Sequence, residues 1–312
     1  MHSLIITSGN SKNFQQLRNF VLSLRSQGQY TGLIVLCDNS ISGTWDNPGT
    51  WQENDSFREE EKQFFKEQDV SILQINTLVN ENTIDPEIIR NIKSPTQRYP
   101  YKFVYNTLIS KLYINKVKNI FYFDSDIYFQ APFEPIAELS EAGKILIVKE
   151  FLKMQEGYFL PKWLKFSDFS KVSDQDEYLK TMLPAENFCS GFYGSEANTF
   201  HRFNLLALLL TSNQFINFYS DQPLVNILKT YFHYPFKEIS NKYCLHLGEL
   251  KRENYTVENG KFTFEGKIPI AVHFNSGKYQ ELESVLTGIP LPSPPKRSLV
   301  DKVVGRLKKA IR

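Results

Sequence analysis

The stretch NIFYFDSDIYF, Asn119–Phe129, sets an apolar run against two carboxylates at its end. Five residues of strand-forming type lead into Asp124 and Asp126, and the two-residue repeat of a β-strand aims both acids the same way. Like charges placed so repel unless a cation lies between them, and an oxygen-rich site with room for phosphates suits Mg2+ or Mn2+. An isolated Asp-x-Asp also fits two solvated aspartates capping a strand. Here Phe121, Tyr122 and Phe123 bury the strand, and its carboxyl end is where open α/β sheets collect their ligands.

The segments around this strand follow a pattern of alternation. SLIITSGN (Ser3–Asn10) is a short apolar run ending in turn formers. Phe14, Leu17, Val21 and Leu24 then share one helical face, bracketed by Ser11 and Gly28, and LIVLCDN (Leu33–Asn39) follows. Strand, helix, strand predicts two parallel neighbours joined by a right-handed crossover, with Thr7, Ser8, Gly9 and Asp38 at the ligand-facing end. Residues 56–68 and 70–75 read as another helix and strand, and Tyr101–Lys116 as a helix running into NIFYF. The alternation implies an α/β fold. Further on, KILIV (Lys144–Val148), NFCSGFYG (Asn187–Gly194) and IPIAVHF (Ile268–Phe274) read as strands, and residues near 197–210 and 221–231 as helices. Residues 151–184 suggest no regular element; Tyr158, Phe159 and Trp163 within them could stack on a sugar or simply pack.

Two of these elements add chemistry to the acidic pair. In SDQPLVNIL, Ser220–Leu228, Asp221 and Gln222 open an apolar helix, where Ser220 or Asp221 could equally serve as an N-cap. In AVHFNSGK a strand ends in His273 and continues to Lys278. An imidazole joined to two carboxylates suits Mn2+, and Lys278 offers positive charge to a leaving diphosphate. A hydrogen-bonded structural histidine fits the same residue.

Composition narrows the class. In 312 residues, 41% hydrophobic and 22% charged with a net charge of +2, the chain can fill a sizeable core and carries no overall bias towards nucleic acid. Cys37, Cys189 and Cys244 lack metal-ligand spacing and suggest free buried thiols in a reducing compartment. The run Leu4–Ile6 is too short for a signal peptide, and Leu205–Leu210 too short for a membrane span. The expected location is the cytoplasm. Lys296–Arg312 holds seven basic residues and one acidic, against 29 and 33 elsewhere. Val300, Val303, Val304, Leu307 and Ile311 recur there at helical spacing. The expected organisation is a catalytic domain over 1–288, a Pro-rich linker over 289–296 and a basic amphipathic helix over 297–312. That helix would lie on an anionic membrane surface at the inner face or pack on the body.

The three motifs, in this order behind a strand-helix-strand opening, resemble the retaining GT-A glycosyltransferases, especially family 8. The resemblance implies a GT-A fold, a Rossmann-like mixed central sheet flanked by helices. It also implies a hexosyltransferase moving sugar with retention from a nucleoside-diphosphate sugar, UDP-sugar favoured, to a carbohydrate or glycolipid acceptor, as in surface-glycan synthesis. By similarity, Thr7, Ser8, Gly9 and Asp38 would meet base or ribose, Lys102 in YPYKF the ribose or diphosphate, and Ser125 the donor between the acids. Asp124, Asp126 and His273 would hold Mn2+ or Mg2+, Lys278 the phosphates, and Asp221 and Gln222 would flank the reacting sugar as catalytic residues. Cys189, Ser190 and Gly191 resemble the family's Asn-Ala-Gly-like strand, with cysteine where asparagine is commoner. Two other readings stay open: a sugar-nucleotide or membrane-surface binding protein without turnover, and a phosphatase of the haloacid dehalogenase type.

Overall fold

The computed structural model describes residues 3–44, 47–74, 78, 100–156, 175–212, 221–248, 250–275 and 278–288. The chain opens as strand β1 (Ser3–Gly9), helix α1 (Phe14–Ser26) and β2 (Leu33–Asp38). An antiparallel pair, β3 (Ile41–Thr44) and β4 (Asn47–Glu53), precedes α2 (Glu59–Glu67) and β5 (Val70–Gln74). Helix α3 (Pro100–Tyr113) feeds β6 (Asn119–Phe123), and β7 (Ile127–Phe129), the one-turn α4 (Glu134–Ala137) and β8 (Ile145–Lys153) follow. Then come α5 (Gln175–Met182), β9 (Glu186–Glu196), α6 (Ala197–Ser212) and α7 (Asp221–Thr230). The remaining elements are β10 (Phe236–Ile239), β11 (Cys244–His246), β12 (Thr256–Glu258), β13 (Lys261–Thr263), β14 (Ala271–His273) and α8 (Tyr279–Thr287).

Seven strands form the main sheet in the order β10-β8-β9-β6-β1-β2-β5. All run parallel except β9, which is antiparallel to both β6 and β8. The period-two alternation of the strands divides the core. Leu4, Ile6, Ile120, Tyr122, Ile145 and Ile147 face one layer with α3, α6 and α7. Ile5, Ile34, Phe121, Phe123, Leu146 and Val148 face the other with α1. Strands covered on both faces read as continuous apolar runs, which is why NIFYF and LIVLC carry no polar residue apart from the edge asparagine. A smaller sheet, β11-β14-β7, stands beside the carboxyl end of β6 and closes a third apolar cluster around Leu245, Phe262, Val272 and Leu282.

Arg25 at the end of α1 fixes how the chain enters two of the strands. Its guanidinium donates to the carbonyls of Tyr30 and Gly32, ahead of β2, and of Gln68 and Asp69, ahead of β5. Ser11 does not cap α1. The Asn10 side chain accepts from Lys12 N–H and opens a 3-10 turn over Ser11–Asn13, while the Ser11 hydroxyl donates to the buried Glu61 of α2. The position before α1 is taken by Asn13, whose side chain makes no capping bond, and the Ser11 hydroxyl is spent on α2 instead.

Part of the stretch without a sequence pattern, residues 151–184, is regular: β8 extends to Lys153 and α5 covers Gln175–Met182. Tyr158, Phe159 and Trp163, together with Ser220, Ser276 and Gly277, the linker over 289–296 and the basic segment over 297–312, lie outside the described residues. Among the described residues no helix is long and apolar enough to cross a membrane, and all three cysteines are free and buried.

Candidate active site

The acids leave β6 where its neighbour on one side runs the other way. Asp124 N–H donates to the carbonyl of Gly191 on β9 at 2.7 Å, extending the β6/β9 ladder by one bond. Two residues on, Asp126 accepts at its carbonyl the N–H of Phe274, at 3.0 Å, just past β14. Strand β7 starts at once and pairs with β14 so that Ile127 stands opposite His273. Backbone hydrogen bonds alone therefore bring the end of β14 onto the acidic turn.

The side chains converge accordingly. His273 Nε2 lies 3.0 Å from Asp126 Oδ1 and 3.9 Å from Asp124 Oδ2. Asp124, Asp126 and His273 each offer a ligand atom, all within 4.8 Å of one another. Asp126 Oδ1 is shielded from solvent and makes no hydrogen bond despite the nearby ring nitrogen. A buried carboxylate oxygen in that condition is costly unless something else satisfies it. Two carboxylates and an imidazole are a donor set that suits Mn2+. Gly191 makes the approach possible, because a Cβ there would overlap His273 Cε1 and sit 2.7 Å from Asp124 Oδ2. In the absence of a cation burial works against charge on His273, but Asp126 and Asp124 outweigh it and push the ring's pKa up. Burial likewise opposes ionisation of Asp126, and His273 reverses that, drawing its pKa down.

Lys102 is the residue that ties this cluster to the second motif. Carried on α3 and buried, its ammonium donates to Asp124 Oδ1 at 3.1 Å and to the Ser190 carbonyl at 3.2 Å, and it pairs closely with Asp221 at the start of α7. The Tyr122 ring lies 4.4 Å beneath it, a further contact that favours the cation. Burial would strip the charge from Lys102, yet Asp124 and Asp221 prevail and hold its pKa well above the usual lysine value. One ammonium thus neutralises a carboxylate from each of two motifs.

Helix α7 is pinned by its own polar side chains. Asn226 accepts the Phe188 N–H at 2.8 Å and donates to the Phe188 carbonyl at 2.9 Å, replacing a sheet partner for β9 with a side-chain amide. Gln222 donates to Asn187 Oδ1 at 3.2 Å, and Asn187 in turn donates to the buried Glu150. Gln222 is thereby oriented through groups on β9 and β8.

The carboxyl end of β1 is partly joined to this network. Tyr105 donates to Ser8 Oγ at 2.7 Å, Tyr122 donates to Asp124 Oδ1 at 2.6 Å, and the two phenol oxygens lie 3.3 Å apart. Thr7 is buried with an unpartnered hydroxyl, and Gly9 stands level with Asp38 across β1 and β2. Asp38 is spent locally on the Ser40 N–H at 2.9 Å. Ser125 donates to Gln16 Oε1 at 3.4 Å. Lys278 is paired with Glu281 on its own helix at 2.9 Å, and no contact joins it to the acids. So the structure unites Asp124, Asp126, His273, Lys102 and Asp221 directly and Ser8 through two tyrosines, with Gln222 adjoining Asp221. Asp38, Ser125 and Lys278 are held elsewhere.

A family model described as Glycosyl transferase family 8 matches residues 50–278, most of the chain and all three motifs. The chain belongs to glycosyl transferase family 8. No curated protein matches it. Among solved structures, this family 8 glycosyltransferase is similar to mouse xyloside xylosyltransferase 1 in its apo form, with 14% identity and a TM-score of 0.55 over 89% of this chain and 98% of that one. It is also similar to the galactosyltransferase LgtC in complex with donor and acceptor sugar analogs, at 10% identity and a TM-score of 0.54 over 93% and 98% of the two chains. The bifunctional glycosyltransferase WbbM in its apo form is similar at 13% identity and a TM-score of 0.53, over 93% of this chain and 50% of that one. Identities this low speak for the GT-A fold alone. Membership of the family makes this chain a nucleotide-sugar-dependent glycosyltransferase acting on a carbohydrate acceptor; the phosphatase reading falls.

Several residues of the site escape a reading of the sequence. Tyr105 and Tyr122 sit within apolar runs and resemble core aromatics, while His246 and Glu150 lie in strands with no motif around them. A polar residue inside an otherwise apolar strand is the available signal. Lys102 yields a direct prediction. Replacing it with methionine leaves Asp124 and Asp221 without their shared cation. The K102M protein is expected to lose about 3–5 kcal/mol, the usual cost of removing one partner of a buried ion pair. Urea denaturation checks this, and an unchanged midpoint would show that the bridge carries no net weight.

Proposed function

We propose that this chain catalyses metal-dependent transfer of a hexosyl group, with retention of anomeric configuration, from a UDP-sugar to the hydroxyl of a carbohydrate or glycolipid acceptor. The observation that carries the reading is the convergence of Asp124, Asp126 and His273 on one point, with Asp221 a single ammonium away. Asp124, Asp126 and His273 would hold Mn2+ or Mg2+. When bound, such a cation supplies Lewis-acid neutralisation of a diphosphate leaving group.

In the transfer, the bond from the anomeric carbon to the diphosphate oxygen breaks, the acceptor oxygen bonds to that carbon and the acceptor proton passes to the departing diphosphate. The chain's own groups prepare each part. Ser8 and Thr7 close the carboxyl end of β1 as donors for base or ribose. Lys102, held charged by two carboxylates, keeps Asp124 turned towards the donor and places Asp221 beside the sugar. Gln222, fixed through Asn187, presents its amide at the start of α7 to the same region. Fixed dipoles and charges of this kind stabilise developing charge because they need not reorganise as the bond breaks. Lys278 would serve the phosphates only by exchanging Glu281 for them.

Activity should depend on the cation site. Donor hydrolysis, followed by nucleotide release, is expected to fall roughly a hundred-fold or more when Asp126 becomes Asn or when divalent cations are chelated, in keeping with several kcal/mol of charge stabilisation. Undiminished release in either case overturns metal dependence. Retention is tested separately by proton NMR of the first product formed: the anomeric coupling of the donor should persist, and its inversion would remove Asp221 and Gln222 from a catalytic role beside the sugar.

The basic segment over 297–312 supports a place in the cytoplasm with peripheral attachment to the inner face of the membrane. Each basic residue near an anionic surface contributes about 1 kcal/mol. The full chain should float with vesicles containing phosphatidylserine, and a chain ending at residue 295 should not. Equal flotation of the two would show that the segment has no part in binding.

A further inference from the structure

Behind His273, on the side away from the acids, a second imidazole is buried. His246 on β11 and His273 on β14 are direct partners in the parallel β11/β14 register. Their rings lie 5.1 Å apart at 71°, and the two Nδ1 atoms are separated by 3.1 Å. Cys189 Sγ approaches the same nitrogen of His273 at 3.4 Å, but already receives the Gly191 N–H at 3.3 Å. His246 is fully buried, and its Nε2 finds no partner.

A neutral imidazole carries one ring proton, and only the other nitrogen can act as a ligand. For His273 to offer Nε2 to a cation beside Asp126, its proton must reside on Nδ1. The acceptor within reach of that proton is His246 Nδ1, since a thiol sulfur accepts weakly. Were the proton on His246 instead, His273 would carry its own at Nε2, facing Asp126 as a donor and closing the cation's place. Ligating histidines elsewhere usually hand this proton to a carboxylate, a carbonyl or water. Here the partner is a ring that can take either role.

We propose that His246 is a positioning residue for the cation site: its Nδ1 accepts the Nδ1–H of His273 and so holds Nε2 of His273 as a ligand. The inference rests on the metal site formed by Asp124, Asp126 and His273. It goes further in assigning a function to a buried histidine outside that set of three.

The test is Mn2+ binding to the full-length protein without donor or acceptor, read as loss of the free-ion signal in electron paramagnetic resonance. Asparagine at 246 retains an acceptor oxygen near the place of Nδ1, whereas leucine fills the space without one. His246→Leu is expected to weaken Mn2+ binding by about 10–100-fold, the usual effect of losing the partner of a ligating histidine. His246→Asn should restore most of that loss. Equal affinity in wild type and H246L overturns the proposal, and equal losses in both variants reduce His246 to packing. A wild-type protein that binds no Mn2+ overturns the metal reading and the proposal with it. Should H246L fail to fold, long-range proton–nitrogen-15 NMR of the wild-type protein in Mg2+ decides. The His273 proton on Nδ1 supports the assignment, and its presence on Nε2 refutes it.

Discussion

The site depends on one buried ammonium. Asp124 and Asp221 arrive from distant parts of the sequence, one at the close of β6 and one at the opening of α7, and either alone would repel the other. Lys102 stands between them, with the Ser190 carbonyl and the Tyr122 ring completing its shell. Taking an ammonium and two carboxylates out of water is expensive, and only close pairing with further hydrogen bonds compensates for it. Such an arrangement adds little to stability compared with an apolar core of the same shape. It adds definition, since α3, β6 and α7 can pack in one relative position and still satisfy all three charges.

Gly191 sets the complementary steric condition. The reversed strand β9 passes directly under the acidic turn, and its lack of a side chain there is what lets His273 and Asp124 close over it. Charge and shape thus act on the same small volume. The Lys102 bridge draws the carboxylates inward from one side, and the β7/β14 pairing delivers the imidazole from the other.

Much of this could be read from sequence because the strong signals are local. The continuous apolar runs of β1, β2 and β6 marked the parallel core, and the ends of β1 and β6 marked Ser8 and the acids. His273 and Asp221 were recognisable from the order of motifs. What stayed hidden was pairing across distance. Nothing in YPYKF says that Lys102 will meet Asp221, and three-residue strands such as β7 and β11 are too short to show a period. Lys278 shows pairing at short range instead. A glutamate three residues on offers a partner at little cost in chain entropy, so a basic residue placed well in sequence was captured locally. Ser11, by contrast, was drawn away from α1 by a distant partner, Glu61 of α2.

His273 is mounted on the smaller sheet, yet that sheet begins at the residue following Asp126. Because alternate residues of a strand face opposite ways, adding or deleting one residue of β14 ahead of His273 would turn the imidazole outward rather than shift it slightly. The centre therefore depends on the length of a three-residue strand as closely as on the ammonium that α3 carries.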